Sequence, residues 1–296
     1  MRLSTNTYPL TAAFGEEEAI NIIKDSGFDC IDISCFELLD DENCPKLSKD
    51  YKVYAKKLLS ILEGSGVTFN QGHAPHPTSL NDEVFNKKTY DKILRSIEFC
   101  SLLGVKTIVV HPRQHLDYSN EENQKRLFEE NIEFYNSLIP YCKDYNIKVA
   151  TENMWQGENG NISCSVCNNP KEFKEYLDAI NSEYIVACLD IGHATLIGED
   201  VTQFIHTLGH KLSALHVHDT KINFDLHALP YSVNGEEFWN KILKALADIN
   251  YSGDLTFEAY NSVLKAPVNL KKEITKKAEK IGRHMISRFE HFKNNK

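Results

Sequence analysis

The chain has no apolar run long enough to cross a bilayer, no Gly/Ser or Pro-rich tract, and no block of like charge. Those absences exclude a membrane-spanning protein and leave no linker at which to divide the 296 residues. Neither GxGxxG nor GxxxxGK(S/T) occurs, which removes the common phosphate-binding loops. Positive charge is scarce, with 33 Lys and Arg against 42 Asp and Glu and a net charge of −9. A broad basic footprint for nucleic acid is therefore not supplied by the average charge, and the expected partner is a small molecule. The opening residues, MRLSTNTYPL, carry no apolar stretch of signal-peptide length. With no export signal, the eight cysteines are expected as reduced thiols in a cytoplasmic setting. Cys30, Cys100 and Cys188 lie in apolar runs and read as small core residues. Cys164 and Cys167 form a CxxC in a polar loop, but the second ligand pair of a structural zinc site is missing.

What is present is an alternation of short β-branched runs with longer amphipathic stretches. The runs are Leu3–Thr7, Phe28–Ile33, Val67–Asn70, Val105–Val110, Ile147–Thr151, Ile185–Leu189, Leu212–Val217 and Asp254–Phe257. Helical patterns occupy Glu16–Asp25, Tyr51–Glu63, Tyr90–Leu103, Arg126–Tyr145, Lys171–Ile180, Val201–Leu208, Glu236–Asp248 and Lys271–Phe289, and Arg288–Lys296 reads as a fraying end. Ser26-Gly27, Ser65-Gly66 and Leu103-Gly104 stop helices just before a strand. Strands that read as continuous apolar runs belong to a parallel sheet covered by helices. Eight such units predict a single (β/α)8 TIM barrel across residues 1–296, ahead of an open doubly wound sheet.

A barrel keeps its chemistry at the carboxyl ends of its strands. Here those ends read Gln71-Gly72-His73-Ala74-Pro75, Val110-His111-Pro112, Thr151-Glu152-Asn153, Leu189-Asp190-Ile191-Gly192-His193, Leu215-His216-Val217-His218-Asp219 and Phe257-Glu258-Ala259-Tyr260. One polar residue at a strand end more often caps a helix than binds anything. Six consecutive strands ending in His, Asp or Glu bring carboxylates into one mouth, where they repel unless a cation or proton intervenes. Mixed carboxylate and imidazole ligands suit one divalent ion, Mn²⁺, Mg²⁺, Co²⁺ or Zn²⁺.

The ordered set GHAP, VVHP, TEN, LDIGH, HVHD, DLHALP and FEAY resembles the xylose isomerase-like TIM-barrel superfamily over about the whole chain. That group holds sugar and sugar phosphate isomerases and epimerases, and also endonuclease IV. The resemblance implies a divalent ion held by Glu152, Asp190, His216 and Glu258, with the two glutamates also moving protons. His216 is the first histidine of HxxD; His218 lies on the same face, facing ligand, substrate or the rim. His193 matches a position that touches substrate oxygens, and His73, His111, Asp225 and His227 join it as substrate-binding candidates. Hydrogen-bonded rim residues are the plainer reading of His73 and His111. Trp155 and Phe36 could pack on the apolar face of a sugar, or serve as core aromatics.

The implied reaction is isomerisation or epimerisation of a sugar or sugar phosphate, by proton transfer through an enediolate that the metal stabilises. Two other activities share the motifs. An endonuclease IV-like phosphodiesterase holds three metals with nine ligands, and His73, His111, Glu152, Asp190, His193, His216, Asp225, His227 and Glu258 supply candidates for all nine. An inosose dehydratase-like lyase shares the metal–enolate step. Against the nuclease stand HVHD, FEAY and Trp155, which depart from its pattern, and a shortage of loop cations, with Arg113 and Lys221 the clearest. Oligomeric state is not legible, a homodimer through the helices being common among such barrels.

Overall fold

Period-two alternation decides where the polar strand ends point. On the strands at Lys148–Glu152, Ile185–Asp190 and Leu212–His216, the odd-one-out residues Ala150, Val186, Cys188 and Ala214 form a small buried cluster with Val109. Their strand neighbours Val149, Ala187, Leu189 and Leu215 join the much larger cluster shared with the helices. The small cluster therefore lines the barrel axis and the large one fills the layer between sheet and helices. Two residues further along each inner row come Glu152, Asp190 and His216.

The computed structural model describes residues 1–296, the Asp40 side chain excepted. Its eight parallel strands are β1 (Leu3–Asn6), β2 (Cys30–Ser34), β3 (Thr68–His73), β4 (Thr107–Val109), β5 (Lys148–Glu152), β6 (Ile185–Asp190), β7 (Leu212–His216) and β8 (Leu255–Phe257). From β1 to β7 each pairs with its neighbour in sequence, and β8 pairs with β1. The remaining seam, between β7 and β8, closes through a bridge from Val217 to Phe257. There Val217 N–H donates to Thr256 O at 2.9 Å and Glu258 N–H to Val217 O at 3.1 Å. The predicted (β/α)8 TIM barrel is the observed fold.

The helices follow the amphipathic stretches, several with side-chain caps from Asp82, Asn120, Asn169 and Asp200. Gly27 and Gly104 adopt φ of 96° and 82°, the left-handed conformation that stops a helix before its strand. The last helix runs Val268–Asn294, so the segment read as a fraying end is helical almost throughout. Two antiparallel hairpins add to the carboxyl end of the barrel: Trp155–Glu158 with Asn161–Cys164, and Asp219–Lys221 with Phe224–Ala228. They are tied tip to tip, because Gly160 N–H donates to Asn223 O at 2.7 Å and Asp225 N–H to Asn159 Oδ1 at 2.8 Å. No helix among the described residues is long and apolar enough to cross a membrane.

Candidate metal centre and cleft

At the carboxyl end the inner rows converge. His216 Nδ1 lies 3.1 Å from Glu152 Oε2, 3.6 Å from Glu258 Oε2 and 3.9 Å from Asp190 Oδ2. Glu152, Asp190 and His216 are fully buried, and Glu258 is 4% exposed. Buried polar atoms normally find partners. Here Glu152 Oε1 and Oε2, Asp190 Oδ2 and both ring nitrogens of His216 have no hydrogen-bond partner. Two carboxylates and an imidazole with unsatisfied atoms, joined by the Glu258 carboxyl, are the kind of donor set a divalent cation takes. These four residues fit one.

The neighbouring histidines are oriented from behind. His73 Nδ1 donates to Ala74 O, His193 Nδ1 to Asn153 O and His227 Nδ1 to Glu258 O, each at 2.9 Å. A carbonyl only accepts, so each Nδ1 carries its proton, which leaves Nε2 of His73 and His193 for a ligand. His73 Nε2 sits 3.9 Å from Glu152 Oε2 and 3.8 Å from Glu258 Oε1, between the two glutamates. His111 Nε2 is 3.2 Å from Glu152 Oε2. His227 Nε2 meets Asp225 Oδ2 at 3.1 Å and Tyr260 Oη at 2.9 Å. His218 Nε2 lies 3.0 Å from Asp190 Oδ1, and its ring stacks on His227 with centroids 3.9 Å apart.

Local sequence explains the close approach. Asp190 caps the short helix Ile191–Leu196, its Oδ1 accepting the His193 N–H at 2.6 Å and leaving Oδ2 free. Gly192 lies against His218, and a Cβ there would come within 1.9 Å of the ring. The Asn153 amide locks β5 to β6, with Nδ2 donating to Asp190 O at 2.9 Å and Oδ1 accepting from Asp190 N at 2.8 Å. TEN and LDIGH are thus one unit.

The charges settle unequally. Burial would raise the Glu152 carboxyl, but the His216 and His111 imidazoles outweigh it and hold it well below its ordinary range. Burial raises Glu258 well above its range, and the nearby Glu152 and Asp190 charges add to it despite His216. Burial lowers His193, yet Asp190 and Glu152 carry it up to about 10. Burial and the imidazoles of His111 and His216 push His73 well down.

All nine residues singled out from the sequence are therefore brought together. Ligand atoms lie within 4.8 Å of one another in five overlapping groupings: Glu152, Asp190 and His193; Glu152, Cys188 and His216; His73, His216 and Glu258; His73, His111 and Glu152; and His193, His218, Asp225 and His227. They open into a cleft of about 360 Å³ that Phe36 and Trp155 also line. His76, Gln114, Met154 and Tyr260 line it as well and were not among the residues predicted to do so. The GHAPHP run could have pointed to His76; Gln114 lies in a loop with no pattern of its own. Cys164 is exposed at the end of a hairpin strand and Cys167 buried, and neither joins a ligand grouping. The larger 730 Å³ recess near Tyr118 and Glu172 lies on the outer wall and has no histidine in its lining.

The chain belongs to the family described as xylose isomerase-like TIM barrel, whose model matches residues 20–281. It is 28% identical to the uncharacterized protein y4fM of Sinorhizobium fredii over 163 residues, 55% of this chain and 50% of that one. It is 25% identical to a probable endonuclease 4 of Mycoplasma mycoides, across 62% of this chain and 59% of that one. Over more of its length, 90% of this chain and 92% of the relative, it is 23% identical to the putative L-ribulose-5-phosphate 3-epimerase SgbU of Haemophilus influenzae. Among solved structures, a D-tagatose 3-epimerase-like protein superposes with TM-score 0.70 at 22% identity, covering 97% of this chain and 100% of that one. The IolI protein with a bound zinc atom superposes with TM-score 0.75 at 18% identity, covering 98% and 99%.

Proposed function

We propose that the chain, acting as one catalytic domain, is a divalent-metal-dependent sugar isomerase or epimerase. The observation that carries this reading is the pair Glu152 and Glu258, both in the cleft and both within 4 Å of His73 Nε2 and His216 Nδ1. A proton next to a carbonyl is removed by one carboxylate and returned by the other, which needs two such groups at one carbon. When bound by Glu152, Asp190, His216 and Glu258, the ion would supply positive charge to the sugar oxygens on which enediolate charge develops. His193 and His73 hold sugar oxygens through Nε2, their Nδ1 atoms being committed to carbonyls. His111, Asp225 and His227 close the remaining side, with Asp225 steadied by Asn159. Ketose 3-epimerases among the structural neighbours are in keeping with this chemistry.

A second reading is favoured by a specific observation. The same nine residues fall within overlapping ligand groupings, in keeping with an endonuclease IV-like site, and a relative is named for that activity. Against it, no lysine or arginine lines the cleft, whereas a phosphodiester backbone is held by cations. Incubation in D₂O with ketoses and ketose phosphates, with Mn²⁺, Mg²⁺, Co²⁺ or Zn²⁺, separates the two. Deuterium entering carbon is the expected result. Incision of an abasic oligonucleotide with no exchange into any sugar, and three ions per chain, would replace the first reading by the second. Loss of water from the sugar would make the enzyme a lyase.

A further inference from the structure

Arg113 and Lys221, the clearest loop cations in the sequence, both turn away from the cleft. Arg113 follows β4, but its guanidinium lies 5.0 Å from the centre of the Phe134 ring, under the helix Glu121–Tyr145. Its backbone N–H and C=O are both taken by Asn131, at 2.7 and 2.9 Å. Lys221 lies over Phe224 at 4.3 Å, on an exposed hairpin whose outer side faces a different recess. Backbone donors are also occupied. The N–H groups of Val233 and Asn234, downstream of the DLHALP motif, both donate to Asp219 Oδ2, at 2.8 and 3.0 Å. Where the loop could cradle an anion, the chain has placed its own carboxylate.

The cleft itself is negative and aromatic. Glu152, Asp225 and Glu258 line it with Asp190 close behind Glu152, and no lysine or arginine lines it. The wall away from His216 is Phe36, His76 and Trp155; Phe36 meets His73 and His76 edge-on at 4.7 Å each, and Trp155 meets His193 at 6.4 Å. Such rings suit the C–H face of a sugar and offer nothing to a phosphate dianion.

We infer that the cleft selects a free, unphosphorylated sugar, packed against Phe36 and Trp155. The inference rests on the isomerase reading and narrows its substrate class. A phosphate here would be desolvated beside carboxylates with no lysine, arginine or open backbone N–H cradle to hold it, an arrangement that specific sites use for rejection.

The test pairs each free ketose with its terminal phosphate, D-ribulose and D-fructose among them. Deuterium exchange rates and calorimetric binding are both measured on metal-loaded protein. Free sugars are expected to be preferred by about 100-fold or more in kcat/KM, and to bind more tightly. Equal or better use of the phosphates overturns the inference while leaving the isomerase reading standing. If no sugar exchanges, that reading falls, and calorimetry alone then decides: tighter binding of phosphates, or binding of neither at millimolar concentration, overturns the inference too. His76→Arg places a cation on the exposed rim of the same wall and is expected to narrow the preference at least about tenfold through phosphate KM. An unchanged ratio in a folded His76→Arg protein would show that charge at this wall does not select the substrate.

Discussion

The two ends of the barrel treat their charged groups in opposite ways. At the amino end Arg2 donates to both oxygens of Asp254, at 3.0 and 2.7 Å, and Asn70 adds a third bond to Asp254 at 2.9 Å. Arg283 does the same for Asp29, at 2.7 and 3.0 Å, with the Leu3 N–H at 2.8 Å. At the carboxyl end Glu152, Asp190 and His216 are wholly buried and keep lone pairs that nothing in the chain satisfies. An unsatisfied buried group costs about 1–3 kcal/mol, and a fold keeps several together only where something outside the chain satisfies them. Paired charge at one end is stability; unpaired charge at the other is binding capacity.

The strongest way to break that contrast is to remove charge from the unpaired end. Glu152→Gln and Glu258→Gln are each expected to lower solvent-exchange turnover by about 10²–10⁴-fold. In Glu258→Gln the metal-free thermal midpoint should move by no more than about 3 °C, because burial already disfavours the charge that is removed. Near-normal exchange in either variant would remove that residue from catalysis. A large loss of metal-free stability would show that the residue is structural after all.

How much of this was legible follows from where order is local. The strands could be read because each is a run of β-branched residues. Glu152, Asp190 and His216 could be placed because they end or follow those runs, and the family resemblance marked them as a ligand set; the inner rows emerge only with the barrel closed. The hairpins were not read, although Asn159-Gly160 between Glu158 and Asn161 is a hairpin signal, with Gly160 at φ 88°. Polar residues on both faces hid the strand period there. Asn153 was quoted within a motif, but its clamp on Asp190 depends on β6 lying beside β5, a contact 37 residues away. The direction in which Arg113 and Lys221 turn is likewise a matter of packing, on Phe134 and Phe224, and no spacing announces it.

A smaller effect sharpens the contrast from within the site. Gly192→Ala puts a Cβ where the His218 ring now stands. Alanine suits a helix better than glycine by about 1 kcal/mol, so the helix Ile191–Leu196 gains while His218 must leave Asp190. Turnover or metal affinity is expected to fall about 10–100-fold, as when a residue supporting a metal ligand is lost. Retained activity would mean that His218 has no part in holding Asp190.

The smallest effect belongs to the paired end and should appear in stability alone. Burial opposes ionisation of Asp29, but the Arg283 guanidinium and the Leu3 N–H outweigh it and hold the carboxyl below its usual value. A carboxyl depressed by folding stabilises the native state above its unfolded pKa, and that contribution fades as pH falls through the folded value. Both side chains are more than a third exposed, so the pair is worth only about 0.2–1 kcal/mol. Asp29→Asn is therefore expected to lower the thermal midpoint at pH 7 by about 1–3 °C. The gap to the parent protein should close as the pH falls through the depressed value of the Asp29 carboxyl, and solvent-exchange turnover should be unchanged. A gap that persists in acid would mean that the substitution costs packing rather than charge, and a fall in turnover would show that the two ends of the barrel are coupled.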